Sequence, residues 1–293
     1  MNFIIDAIEE GLIFSLVSIG VYITYKILDF PDLSVDGTYP LGAAIAGVLL
    51  VSGVNPWISI ILATLGGAVS GLVTAFLHVK LKISNLMSGI LVMIALYSVN
   101  LRIMGKSNIP LFNTDNIFEN SNIKSIFIIL IIVIIIKVLI DLFLKTKKGF
   151  LLIAVGDNEQ VVSSLGVNKK SIKIIGVMMS NALVSMAGAI QAQRYGYADV
   201  TMGQGIVVTG LATVVIGLTL FGRMSLLKCT TLSILGAIIY KIAIAIALKV
   251  NFNPNDLKLI TAVIVIIALA SNNGIFKFKK KIGKKEGKES AEA

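Results

Sequence analysis

The sequence predicts an all-α fold, a polytopic membrane bundle of eight or nine transmembrane segments, and three observations carry that reading. Of 293 residues, 56% are hydrophobic and only 14% charged, with a mean hydropathy of +0.91. A soluble domain holds about 45–50% apolar and about 25% charged residues. The apolar residues come in blocks of about 20, the length a helix needs to cross a bilayer; SIFIILIIVIIIKVLIDLFL at 125–144 is the clearest. Finally, the lysines concentrate in loops and in the tail KFKKKIGKKEGKE. The net charge of +10 therefore reads as a positive-inside bias, with no nucleic-acid partner implied.

Taken in order, the predicted segments lie at roughly 8–28, 39–53, 56–80, 86–104, 125–145, 172–191, 206–222, 228–249 and 256–271. The second is short and rich in glycine, so a partial or tilted span is expected there. Residues 1–276 form a single transmembrane domain, and 277–293 form a Lys-rich cytoplasmic tail expected to be disordered. The first block is preceded by Asp6, Glu9 and Glu10 without a basic flank, which argues against a cleaved signal peptide. Charge sets the orientation. A cytoplasmic tail places NFNPND (251–256) outside, GRMSLLK (222–228) inside, RYGYADVTMGQG (194–205) outside and the Lys-flanked loop 145–171 inside. Residues 105–124 are then outside, HVKLKISN (78–85) inside, and the acidic N-terminus outside: a multi-pass protein of the plasma membrane with its C-terminus in the cytoplasm.

Few motifs point to covalent chemistry. The lone Cys229 excludes an intramolecular disulfide, and no Cys/His spacing suits a metal. GKS at 105–107 resembles the end of a phosphate-binding loop, but Asn100 stands where the first glycine belongs and the segment follows a membrane helix. No catalytic residue and no cofactor are expected in this chain; any ATP is bound by another. His78, the one histidine, suits a packed or interfacial role better than a proton relay. Lys137 and Asp141 share a helix face four residues apart, as a locally neutralised pair or a functional one. Gly67 with Gly71, and Gly42 with Ala46, let helix backbones approach closely, as in any membrane bundle.

Two segments are more informative. LDFPDLSVDGTYPLGAA (28–44) places Asp29, Asp32 and Asp36 beside Pro31, Pro40 and the turn signal SVDG, with no basic residue after Lys26. Non-helical backbone at membrane depth is tolerated only where protein buries it or water reaches it, and broken helices form transporter sites. The stretch near 29–40 is therefore expected to be a break lining a pathway, with an ordinary acidic turn as the alternative. In KTKKGFLLIAVGDNEQVVSSLGVNKKS (145–171), Val161, Val162 and Leu165 suggest a short surface helix. Asp157 or Asn158 would cap it and Gly166 would end it, making a docking knob on the cytoplasmic face.

AVGDNEQVVSSLGVNKKSIKIIGVMMSNALVSMAGAI (154–190) resembles the coupling segment of the permease subunits of ABC importers for ribose and branched-chain amino acids, matching through Gly156, Asn158, Gly166, Val167, Asn168, Ser180, Ala187 and Gly188. PDLSVDG resembles the same family's broken segment. DFPDLSVDGTYPLGAA with QAQRYGYADVTMGQG looks most like permeases of tryptophan-type importers of Gram-positive bacteria. Ribose-type members carry an extra N-terminal span that this chain starts without. The resemblance implies the fold of a type II ABC importer, with two permease copies, expected as a homodimer, forming the path. A separate ATP-binding subunit holding ATP and Mg and an extracellular substrate-binding lipoprotein are its other partners. It implies that Gly156, Asp157, Asn158, Leu165, Gly166, Val167 and Asn168 couple to the ATPase. On this view Asp29, Pro31, Asp32, Ser34, Asp36 and Gly37 line or gate the path. Arg194, Tyr195 and Tyr197 would meet an amino acid's carboxylate and apolar side chain; the alternatives are local pairing or binding-protein docking for Arg194 and an aromatic belt for the tyrosines. An importer of a tryptophan-like or branched-chain amino acid is the expected function. Import of a sugar or nucleoside, or ion-coupled transport through the three Asp residues without an ATPase, are the alternatives.

Overall fold

A computed structural model describes residues 2–118, 124–222 and 228–250, with 259, 261–264 and 266 beyond them. Its helices are α1 (Asn2–Val21), α2 (Val35–Val51), α3 (Pro56–Leu81), α4 (Asn85–Met104), α5 (Ser125–Leu144), α6 (Lys147–Asp157), α7 (Glu159–Ser164), α8 (Lys169–Tyr195), α9 (Ile206–Phe221) and α10 (Cys229–Lys249). Two short strands, β1 (Asn108–Pro110) and β2 (Tyr197–Asp199), pair antiparallel with Asn108 opposite Asp199.

Among the described residues, α3, α4, α5, α8 and α10 are long and apolar enough to cross a membrane. The apolar α2 and α9 have 17 and 16 residues, about 24–26 Å of helix against a hydrocarbon core of about 30 Å. Thus α2 matches the short second segment read from the sequence. α1 continues as a π-helix, Tyr22–Ile27, so the helical path of the first segment runs unbroken to Ile27. The ninth segment, most of 222–228, the loop 251–256 and the tail lie largely or wholly outside the described residues.

Two expectations need correction. The non-helical stretch is narrower than 29–40: helix resumes at Val35, SVDG becomes the first turn of α2, and Pro40 lies inside that helix. Pro40 is tolerated because it stands near the start, where few intrahelical N–H bonds are lost. The loop 145–171, expected on the inside, holds two helices, α6 and α7, where one was expected.

Helix α8 is the axis of the bundle. Two-thirds of its apolar window is buried, against 28% for α4, α5 and α10. Small residues explain the packing. A side chain on Gly42 would sit 1.9 Å from the Ser185 carbonyl oxygen, one on Gly188 2.0 Å from that of Tyr39, and one on Gly67 2.3 Å from Ser185 Cβ. The glycine pair Gly67/Gly71 thus presses α3 against α8, and Gly42 presses α2 there. Local signals start and stop the helices: Asn55 accepts from the Trp57 N–H ahead of α3, Ser84 from the Met87 N–H ahead of α4, and Gly105, at φ +69°, ends α4. GKS is thereby the end of a helix leading into β1.

Candidate functional site

The break begins where the π-helix runs out. The N–H groups of Leu28 and Phe30 reach back to the Ile23 and Thr24 carbonyls, and Asp29 turns the chain at φ +50°. Asp29 and Pro31 are exposed. Asp32 and Ser34 are buried, at 4% and 0% exposure, in a hydrogen-bonded network. Asp32 Oδ1 accepts the Ser34 N–H at 2.8 Å, an Asx turn, and Oδ2 accepts from Asn181 Nδ2 of α8 at 2.8 Å. Asn181 Oδ1 accepts from Thr38 Oγ1 at 2.7 Å and from Ser34 Oγ at 3.1 Å. Thr38 also meets Ser70 of α3 at 2.9 Å. This network is the polar seam that fastens the break to α3 and α8, and it satisfies groups that burial alone would penalise by about 1–3 kcal/mol each.

Asp36 does different work. Its carboxylate accepts the Gly205 N–H at 3.0 Å and the Val207 N–H at 2.8 Å, capping the start of α9. A carboxylate at a helix N-terminus satisfies orphan donors and complements the dipole. Gly203 packs so tightly on α2 that a side chain there would lie 1.8 Å from the Asp36 carbonyl oxygen. Pro40 leaves that carbonyl without its usual helical donor. Asp36 and Gly37 also edge a cleft of about 390 Å³ between α2, α4 and the segment before α9, with Tyr97 and Asn100 on its α4 side.

At the other end of α8, Arg194 is held by carboxylates of α1. Its Nε donates to Glu9 at 2.8 Å, and Nη2 lies 2.7 Å from Glu9 and 3.1 Å from Asp6. Local pairing, the alternative reading, is what the structure contains. Tyr195 donates to Glu10 at 2.9 Å and stacks on Tyr197 at 5.8 Å. Glu10 also pairs with Lys241 of α10 at 3.2 Å. These three sequence-predicted residues therefore lie together, and Tyr195 and Tyr197 line a second cleft with Tyr39 of α2 and Ile206, beside the start of α9 that Asp36 caps.

The coupling candidates form one bracket. Asn158 caps α7 by accepting from the Gln160 and Val161 N–H groups, Gly166 ends it at φ +71°, and Asn168 caps α8 through the Lys170 N–H. Val162 is fully buried, whereas Val161 and Leu165 are 52% and 68% exposed, so one face anchors α7 and the other is an apolar ridge. Glu159 joins Lys169 at 3.1 Å and Lys173, tying α7 to α8. Those lysines, Lys173 first, hold the Glu159 carboxyl below its ordinary range. Gly156 lies against the break itself: a side chain there would stand 1.7 Å from the Ile27 carbonyl oxygen.

Sequence reasoning missed Asn181 and Asn100, the ribbon β1–β2 and helix α6. A polar amide inside an apolar helix is a usable signal, and both asparagines carried it. Lys137 and Asp141 do pair, at 3.0 Å, but Asp141 also receives Lys228 at 3.0 Å and Thr230 at 2.6 Å from the start of α10. His78 packs edge-on to Phe30 at 5.3 Å and meets the Ile83 carbonyl at 2.8 Å; since a carbonyl only accepts, Nδ1 is the donor.

Comparison with known proteins identifies the family. The family model described as branched-chain amino acid transport system / permease component matches residues 3–270. A tyrosine transport system permease protein of Clostridioides difficile is 50% identical over 96% of this chain and 95% of its own. An uncharacterized protein of Rickettsia prowazekii is 33% identical over 92% and 98%. A fructose import permease protein of Bifidobacterium longum is 26% identical over 90% and 76%. No solved structure matches the chain. With a family model spanning nearly the whole sequence and a half-identical relative of equal length, the chain belongs to the permease family of ABC transport systems.

Proposed function

We propose that this chain is the transmembrane pathway subunit of an ATP-driven importer for an aromatic amino acid. It works as a homodimer with a separate ATP-binding subunit, which holds ATP and Mg, and an extracellular binding lipoprotein. One observation carries the reading: the ridge-bearing α7 is joined through Asn158 to α6, and Gly156 of α6 abuts the backbone at Ile27. A partner gripping Val161 and Leu165 therefore pushes on the break with no flexible side chain between. Residues 28–34 lack regular helix and can absorb the displacement, while α2 and α8 stay packed as a rigid pair. The amino-acid cargo follows from what the half-identical relative is said to carry.

The test is uptake into proteoliposomes holding the permease, its ATPase and its binding protein, offered tyrosine, tryptophan, leucine and ribose. ATP-dependent uptake of tyrosine or tryptophan is expected. Gly156→Val, which forces α6 off Ile27, should leave ATP hydrolysis running without solute stimulation. Uptake by the permease alone, without ATP, would overturn the proposal.

A further inference from the structure

The cleft beside Asp36 has one feature that packing does not require. Asn100 of α4 is wholly buried in its wall. Its Nδ2 donates to the Gly37 carbonyl at 3.1 Å. A carbonyl can only accept, so the amide cannot be reversed without setting two oxygens against each other. Oδ1 is thereby fixed on the other side, where it has no hydrogen-bond partner among the described residues and is itself closed off, so a ligand in the cleft meets it only as the α4 wall gives way. A buried orphan acceptor is destabilising, a cost that a bound donor would remove.

The surroundings specify that donor. Among the described residues no lysine or arginine lines the cleft, and the charged group there is the Asp36 carboxylate. With Ser98 and Gln204 the rest of its polar lining is neutral, so the one carboxylate favours a positive group that donates hydrogen bonds. The remaining walls include Met93, Ile94, Tyr97 and Val200, an apolar and aromatic bed. At about 390 Å³ the cleft falls within the range of small-molecule pockets, about 300–1,000 Å³.

We propose that this cleft is a transit site for a primary ammonium carried on an apolar or aromatic body, with Asn100 Oδ1 and the Asp36 carboxylate receiving the ammonium. The proposal deepens the importer reading and rests on it, since it places the α-amino group of the imported amino acid. Recognition then lies in the amine more than in the carboxylate, and phenol, indole or alkyl side chains share the apolar bed.

Direct binding to the full-length permease in detergent tests this without the binding protein's own selectivity. Three probes are used: tyrosine, tyramine, which keeps only the ammonium, and 3-(4-hydroxyphenyl)propionate, which keeps only the carboxylate. Thermal shifts with tyrosine and tyramine and none with the acid are expected. Asn100→Leu should weaken the tyramine response by about 10- to 100-fold, the range for a hydrogen bond to a charged group. A response to the acid alone, or to none of the three, overturns the site, and the wild-type comparison stands even where the variant folds poorly. ATP-driven tyrosine import by the wild-type complex separates the two claims. If that import is present and Asn100→Leu, folded and assembled, imports at the wild-type rate, the transit site fails and the importer reading stands. If the complex imports no amino acid, the importer reading fails.

Discussion

Substituting Asp36 measures how firmly the shortened helix α9 is held at its start. The carboxylate accepts two backbone N–H groups, at 3.0 and 2.8 Å. Hydrogen bonds to a charged group contribute about 1.5–3 kcal/mol each before the carboxylate's own desolvation is counted. Measured losses on replacing a capping side chain by alanine are about 0.5–2 kcal/mol, and the dipole interaction adds about 0.3–2 kcal/mol. Asp36→Ala should therefore cost about 2–3 kcal/mol. Asp36→Asn keeps an acceptor but no charge and should cost about 1 kcal/mol. At about 2–4 °C per kcal/mol, the melting temperature in detergent should fall by about 4–12 °C for alanine and about 2–4 °C for asparagine. Hydrogen exchange should quicken first at Val207 and its neighbours. Were both variants to melt within a degree of wild type, with α9 equally protected, the capping argument would be wrong.

Three further outcomes follow from contacts elsewhere. Leu165→Asp puts a charge on the exposed ridge of α7 and should abolish capture of the ATPase subunit while leaving the permease's own melting temperature within about 1 °C, because Leu165 is 68% exposed; unchanged capture refutes the ridge as a docking surface. Gly188→Val should lower stability by at least about 1–3 kcal/mol, the overpacking range, since even a methyl group there would meet the Tyr39 carbonyl at 2.0 Å; an unshifted melting curve would show that α2 and α8 separate freely. The Glu159 carboxyl is held below its ordinary value of 4.5, first by Lys173 and then Lys169, so its contribution is complete above that value and disappears as the pH falls through the depressed one. Hydrogen exchange in α7 should accelerate over that acidic window in wild type and show no such step in Lys173→Met; identical pH profiles for the two proteins would rule out the tie.

Most of the bundle was readable because bilayer thickness imposes a length on each helix and the apolar blocks obey it. The segments read at 56–80, 86–104 and 125–145 differ from α3, α4 and α5 by a residue or so. The cap at Asn158 and the stop at Gly166 were legible for the same kind of reason, since both are local chemistry. What escaped was nonlocal. SVDG has the composition of a turn, yet Ser34 begins a helix because Asp32 folds back on its N–H and Asn181, 147 residues away, ties down its hydroxyl. Arg194 looked available to a solute because Glu9 and Asp6 are about 185 residues distant in sequence. Of the three carboxylates at Asp29, Asp32 and Asp36, one is exposed, one builds a seam and one caps a helix, and only their partners tell them apart.

Those partners also bear on how ATP-driven motion could reach a solute. The bracket meets the break at Ile27, the break ends in the first turn of α2, and that turn presents both the Gly37 carbonyl, which fixes Asn100, and Asp36, which fixes α9. On the proposed coupling, a displacement entering at α7 would arrive where the amide and the carboxylate share a cleft. Packed helices respond to such a push by changing between discrete arrangements, because close-packed interiors deform poorly. A solute held by both groups binds one arrangement more tightly than the other only if their separation changes, and by linkage it can bias the equilibrium by no more than that difference. On the proposed coupling the condition would be met as follows: α2 is clamped on α8 at Gly42 and Gly188 and through Thr38 on Asn181, so the part of a push from Ile27 that the break does not absorb would move α2 and α8 together relative to α4. If the proposed coupling and transit site both hold, the position of α2 against α4 would link hydrolysis in a partner subunit to the grip on the amine.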